Sequence, residues 1–172
     1  LPDHAVKDFI GPYRYPYALL DIENPRTVGP LTLQDYYFEH KRAQAHAIEM
    51  AKPQVVKVGK EYGGLTGRHY GVLETYHMDD AEYALVALGS TAGTAKHVIN
   101  QLRQDGEKCG LVKIRLFRPF PETEIQEALS GVKAVGILDR ADGFSGVGGP
   151  LYTEIKASLY SGGIRPECIN FI

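Results

Sequence analysis

The apolar run Tyr83–Leu88 carries no charge, and it passes through Gly89 and Ser90 directly into Thr91-Ala92-Gly93-Thr94-Ala95-Lys96, where apolar positions recur at helical spacing. A strand so uniformly apolar reads as buried on both faces, and a strand that turns this sharply into a helix is the first half of a parallel crossover unit. The same pattern repeats downstream. Residues 111–116, 132–138 and 168–172 read as further strands. Helices fill the intervals between them. The first carries Ala92, Ala95, Val98, Ile99 and Leu102 on one face and stops at Asp105-Gly106. The second opens with Pro121 and has Glu122 and Glu124 in its first turn, as the helix dipole favours. The third begins at Pro150 and repeats Leu151, Ile155 and Leu159 one turn apart. Residues 72–76 form one more strand-like run, but residues 78–81 are too short a link for a parallel crossover, so this strand pairs antiparallel or lies apart. The expected class is α/β, a mostly parallel sheet with helices on both faces.

Three segments precede or make up this pattern. Residues 1–31 form a Pro- and Tyr-rich arm (Pro2, Pro12, Tyr13, Tyr15, Pro16, Tyr17, Pro25, Pro30) that reads as extended. Aromatic side chains on an extended segment need a surface to bury against, so the arm reads as an inter-domain or inter-subunit strap. Residues 32–71 form a helical connector, capped by Thr32 or Asp35 and kinked or split by Pro53, with a turn signal at Gly63-Gly64. Residues 72–172 form the α/β domain.

The sequence excludes several functions. With a formal net charge of −2 and no clustered Lys and Arg, neither nucleic acid nor an anionic membrane surface is an expected partner. No apolar run approaches the roughly 18 residues of a membrane span, and no leader pattern opens the chain, so a cytoplasmic location is expected. Cys109 and Cys168 are too few for a disulfide framework or a four-cysteine iron–sulfur ligand set, and they read as buried structural thiols. His40 and His46 fall on different helix faces, His69, His77 and His97 are scattered, and no nucleophile turn is present. No catalytic residue and no metal ligand is assigned.

Three loops remain. At residues 89–94, Ser90, Thr91, Gly93 and Thr94 are candidate anion contacts at a helix N-terminus. The Gly-Lys-Ser/Thr ending and the dinucleotide spacing are both missing, which favours a Ser/Thr cap on tight strand–helix packing. On that reading a bulky residue at Gly93 destabilises the fold by a few kcal/mol. Residues 139–149 follow a parallel strand, where open sheets place ligands. Asp142-Gly143 with Asn170 superficially matches the magnesium and diphosphate motif of thiamine diphosphate enzymes, but Ala141 replaces the leading Gly and Asn170 falls in a strand. Residues 115–121 end a buried strand with Arg115, Arg118, Phe117 and Phe120, either as a surface for anionic groups or with Arg118 tying down the turn before Pro119 and Pro121.

Taken with the Tyr-Pro arm and the long helix, the motifs at residues 89–94, 113–121, 138–140 and 148–154 resemble, in order and spacing, the second half of the α subunit of pyruvate:ferredoxin oxidoreductases. The resemblance implies a three-layer α/β/α domain like the C-terminal domain of transketolase, with a mostly parallel five-stranded sheet and one antiparallel strand. It also implies an anaerobic, multi-subunit 2-oxoacid enzyme with thiamine diphosphate, Mg2+ and iron–sulfur clusters in the whole complex and none of them bound by this chain alone. The implied role is scaffold and subunit interface. Implied partners are the other subunits or domains and a second α subunit, with ferredoxin and coenzyme A at the level of the complex. Gly-Pro-Leu-Tyr-Thr-Glu at residues 149–154 looks like the pyruvate branch, and relatives acting on oxoisovalerate, oxoglutarate or oxalate share the architecture. Residues 141–147 depart from the family's usual Ser and Phe-Gly, and the chain stops at Ile172 where relatives continue into a Gly-rich tail, so a fragment or one piece of a split subunit is expected. The rival reading is a stand-alone module that binds a nucleotide or coenzyme A.

Overall fold

The computed structural model describes residues 1–29, 31–144 and 146–172; Pro30 of the arm and Ser145 of the loop after Arg140 lie outside the described residues. The chain divides into two compact units, Leu1–Ala47 and Ile48–Ile172.

In the first unit the arm is not extended throughout. Helix α1 spans Asp3–Ile10, with Pro2 at its N-cap, Asp3 in its first turn and Gly11 at φ 70 closing it through an N–H bond to the Lys7 carbonyl at 2.8 Å. Pro2 starts this helix because its fixed φ suits the entry to a helix. Beyond Gly11 the proline-dense stretch is non-helical, and its large side chains are exposed, Tyr13 at 85% and Leu20 at 93%.

Helix α2 runs uninterrupted over Gln34–Thr66 with Pro53 inside it, so the proline does not split the helix. The helix loses one ladder bond there and remains helical on both sides. Nor do Gly63 and Gly64 make a turn. Gly63 is buried in the helix because the following chain folds back upon it, and a Cβ there would meet the His69 imidazole at 2.5 Å. The helix ends instead at Gly67, with φ 69.

The second unit is built on strands β1 (Leu73–Tyr76), β2 (Tyr83–Leu88), β3 (Cys109–Ile114), β4 (Ala134–Leu138) and β5 (Glu167–Phe171). Their order in the sheet is β1-β3-β2-β4-β5, with the last four parallel and β1 antiparallel to β3. The short link after β1 therefore makes no hairpin with β2. It crosses the start of β3, where a Cβ on Gly110 would meet the His77 carbonyl at 2.6 Å, and it delivers β1 to the outer edge. His77, at φ 53, turns the backbone there.

Helices α3 (Thr91–Gln104), α4 (Glu122–Leu129) and α5 (Pro150–Ser161) fill the crossovers. On one face of the sheet Val86, Val112, Ile114, Val135 and Ile137 pack against Ile125 and Leu129 of α4 and Leu151, Ile155 and Leu159 of α5. Burying each of these aliphatic side chains contributes about 1.5–3 kcal/mol. The two helices are tied by Ser158, whose hydroxyl donates to the Glu122 carbonyl at 3.2 Å, and by Gln126, whose amide donates to the Ser158 carbonyl at 2.9 Å. On the opposite face α3 covers β2 and β3, through Ala92, Ala95 and Ile99 against Ala87 and Leu111. Cys109 and Cys168 are free thiols, half-buried rather than fully enclosed.

Candidate functional site

The carboxyl edge of the parallel strands gathers the three loops singled out from the sequence, and Asp139 and Asn170 there are turned inward. Asp139, the residue after β4, directs its carboxylate at the start of α5. Its Oδ1 accepts from the Leu151 N–H at 2.8 Å and its Oδ2 from the Tyr152 N–H at 3.0 Å. From β5, Asn170 completes the arrangement. Its Nδ2 donates to Asp139 Oδ2 at 3.0 Å and to the Ile137 carbonyl at 3.2 Å, while its Oδ1 accepts from the Gly149 N–H at 2.8 Å. A carboxylate at a helix N-terminus satisfies orphan amides and complements the dipole at once. The anion position at the start of α5 is thus occupied by the chain's own Asp139.

Two glycines make this closeness possible. A Cβ on Gly149 would overlap the Asp139 side chain, and one on Gly148, already at φ 103, would meet both Asn170 Oδ1 and Tyr152 Cδ1 at 2.6 Å. The Gly-Gly-Pro-Leu-Tyr-Thr-Glu run is therefore a clasp, with Gly for approach, Pro150 to start the helix and the next two amides to bind Asp139.

The loop after β3 is joined to the same helix. Arg118 Nη1 donates to the Phe117 carbonyl at 2.9 Å, its guanidinium lies 4.4 Å from the Phe117 ring centroid, and Nη2 pairs with Glu154 of α5. Arg118 ties down the turn, as one of the two sequence readings held.

At the β1 edge, Glu74 accepts from both Lys96 of α3 and Arg115. The hydrogen bond from Lys96, helped by the Arg115 charge, holds the Glu74 carboxyl below its ordinary value against the opposing effect of burial. Lys96 also lies 5.0 Å from the Tyr76 ring centroid and Arg115 4.8 Å from that of Tyr70, so both cations are braced by aromatic faces.

The turn at residues 89–94 differs from the expectation in detail. Ser90 holds the N-cap position of α3 in a helical conformation with no side-chain cap, so no Ser/Thr cap exists there. Gly93 lies on the exposed side of α3, and a Cβ on it would meet nothing within 4 Å. Tight packing at Gly93 is overturned, because the side of the helix that faces the sheet is carried by Ala92, Ala95 and Ile99. Ser90, Gly93 and Thr94 are exposed and Thr91 is half-buried.

The groups that the family resemblance implies find no ligand set in these residues. Asn170 spends its amide on Asp139, Ile137 and Gly149, and the exposed Asp142 accepts from the Gly143 N–H at 2.8 Å, so the pair does not form a magnesium and diphosphate site. Among the described residues no three His, Cys, Asp or Glu side chains converge as metal ligands. Among the described residues no helix is long and apolar enough to cross a membrane. Sequence reasoning gave Asp139 no role and set Asn170 aside. The clasp joins three segments far apart in the chain and leaves no local spacing to read.

Comparison with known proteins identifies the family of the chain. The family model described as pyruvate:ferredoxin oxidoreductase core domain II matches residues 81–172. The chain is 49% identical over 171 residues to the pyruvate synthase subunit PorA of Thermotoga maritima, covering 99% of this chain and 43% of that protein. It is 42% identical over 175 residues to the ketoisovalerate oxidoreductase subunit VorA of Pyrococcus horikoshii, covering 100% of this chain and 44% of that protein. The chain thus spans less than half the length of these relatives. Among solved structures, a 2-oxoglutarate:ferredoxin oxidoreductase from Magnetococcus marinus with 2-oxoglutarate, coenzyme A and succinyl-CoA bound aligns with TM-score 0.49 and 16% identity, over 96% of this chain and 26% of that chain.

Proposed function

Because the chain belongs to the pyruvate:ferredoxin oxidoreductase core domain II family, we propose that it is the scaffold and subunit-interface part of the α subunit of a 2-oxoacid:ferredoxin oxidoreductase. The reaction of the whole enzyme is oxidative decarboxylation, in which pyruvate and coenzyme A give acetyl-CoA, carbon dioxide and a proton while two electrons pass to ferredoxin. Pyruvate is favoured over oxoisovalerate by the higher identity to the pyruvate synthase subunit, 49% against 42%. Oxoglutarate and oxalate are the remaining alternatives.

The observation that carries the scaffold reading is the engagement of the family-signature side chains with one another. Asp139 and Asn170 hold the start of α5, and Arg118 and Glu154 join two loops of the same edge. Such residues position backbone and leave no general base or metal ligand aimed outward. We assign residues 1–31 to a strap on a neighbouring domain or subunit, 32–71 to a connector and 72–172 to the scaffold domain. The bare apolar side chains of the arm support the first assignment. The proposed setting is a cytoplasmic complex with the remaining subunits or domains and a second α subunit, in which thiamine diphosphate, Mg2+ and iron–sulfur clusters are held elsewhere.

The test is anaerobic capture of the native protein and assay of coenzyme A-dependent viologen reduction with pyruvate, oxoisovalerate, oxoglutarate and oxalate in turn. Reduction driven by pyruvate supports the reading, and reduction by another oxoacid reassigns the substrate. Turnover by the 172-residue chain alone refutes the scaffold role. A second reading is a coenzyme A or nucleotide contact at Ser90, Thr91, Gly93 and Thr94, favoured by the uncapped N-terminus of α3. A saturable rise in melting temperature with coenzyme A supports it, and loss of that rise in Ser90→Pro assigns it to this turn.

A further inference from the structure

Over β4 and β5, one face of the sheet has no covering helix among the described residues. The parallel strands β4 and β5 are roofed by α5 on one side, whereas on the other α3 packs over β2 and β3 and, among the described residues of β4 and β5, meets only Leu138 at the end of β4. There Tyr83, Leu85, Leu102, Gly136, Ile169 and Phe171 line an apolar trough of about 280 Å³. Tyr83 is 47% exposed, Leu102 40%, Ile169 45% and Phe171 50%, and Val98, one turn from Leu102 on α3, is 41% exposed. A parallel sheet ordinarily buries both faces, so this strip is the anomaly of the fold.

Area decides what fills it. At about 150–250 Å² per aromatic side chain and roughly half that for an aliphatic one, the exposed fractions sum to on the order of 300–400 Å². A stable interface between separate proteins takes about 800 Å² per partner. The trough is too small for an independent subunit, and a tethered segment escapes the entropy cost of association that sets that threshold. Relatives of which this chain spans 43–44% carry more than enough further polypeptide to supply one.

We propose that the β4–β5 trough is filled by an apolar segment of the same polypeptide lying outside residues 1–172, which acts as the missing covering helix and locks the domain to the rest of the subunit. This inference rests on the family placement and is independent of which oxoacid the enzyme uses. Gly136 leaves room for the Leu85 and Phe171 side chains beside it. A Cβ there would meet Leu85 Cδ2 at 2.9 Å and Phe171 Cε2 at 3.3 Å, so the floor of the trough stays low only with Gly.

Hydroxyl-radical footprinting of the full-length protein tests this without any substitution. Oxidation rates of Tyr83 and Phe171 are compared between the native and the urea-unfolded protein. An open trough, with these side chains about half exposed, slows them only about twofold. A filled trough slows them as strongly as the fully buried core, and the protection persists on dilution and after removal of the other subunits. Twofold protection overturns the proposal, and protection lost on dilution or subunit removal assigns the trough to a second copy or another subunit and overturns it equally. Neither result touches the viologen assay, so failure here is distinct from failure of the family reading.

Discussion

Replacing Asp139 by Ala removes the clasp at its centre. Three donors lose their acceptor, namely the Leu151 and Tyr152 amides and the Asn170 side chain, at 2.8, 3.0 and 3.0 Å. Hydrogen bonds to a charged group contribute about 1.5–3 kcal/mol each in mutational series, but the helix amides regain water at this half-buried edge, so the three do not add. Loss of a helix N-cap costs about 0.5–2 kcal/mol and loss of the favourable dipole interaction a few tenths more. The stranded Asn170 amide brings the total to about 2–4 kcal/mol. For a chain of this size each kcal/mol lowers Tm by roughly 2–4 °C, which makes the expected fall roughly 5–15 °C. Urea unfolding of wild type, Asp139→Ala, Asn170→Ala and the double variant gives both the loss and the coupling. The two side chains touch, so their coupling should exceed about 0.5 kcal/mol. A fall in Tm under about 2 °C, or strict additivity, refutes the account of Asp139 as the acceptor that organises α5.

The glycines give an opposed pair of outcomes. Gly149→Ala drives a methyl into Asp139 and should cost at least about 1–3 kcal/mol, whereas Gly93→Ala meets open space inside α3 and should stabilise by about 0.5–1 kcal/mol, both read from urea midpoints. Glu74 has a folded pKa below its ordinary 4.5, so its contribution is present above that pH and is lost as pH falls through the depressed value; Glu74→Gln should therefore flatten the acid limb of the stability curve. Arg118→Ala, which breaks an ion pair with side chains 50% and 33% exposed, should cost under about 1 kcal/mol by the same measurement. Burial pushes the Cys109 and Cys168 thiols up, so both should react with a disulfide reagent at pH 8 more slowly than in the unfolded chain.

The strands and crossover helices were legible because each is specified locally. Val86 and Ile137 sit in unbroken apolar runs, and Pro150 marks the helix start that Leu151, Ile155 and Leu159 continue. What failed was punctuation. Pro53 and Gly63-Gly64 have the residue types that end helices, yet α2 passes through all three; at Gly63-Gly64 the chain after Gly67 returns along the helix, setting the His69 imidazole against Gly63 and the Tyr70 carbonyl against Gly59, and local propensity is outweighed. Weight also fell on the wrong glycine. Gly93 and Gly149 both sit in small-residue stretches at the start of a helix, and only the neighbour across space, nothing in one case and Asp139 in the other, separates them. The Asp139–Asn170 clasp was illegible for the same reason, since its parts belong to a strand end, a helix start and a terminal strand.

Strand β1 is made before β2 yet pairs with β3 alone among the described strands, so Leu73 waits for Ile114, about 40 residues later, before it has any ladder partner. Closing a loop of that length is slow relative to the neighbouring β2–α3–β3 unit, whose pairing supplies the edge on which β1 lands. During synthesis β1 therefore emerges first and docks late, and until it does, the outer side of β3 is an unpaired template for a strand from another chain. The link that crosses Gly110 is drawn tight only once β3 is in place, which makes this step of assembly a property of the strand order itself.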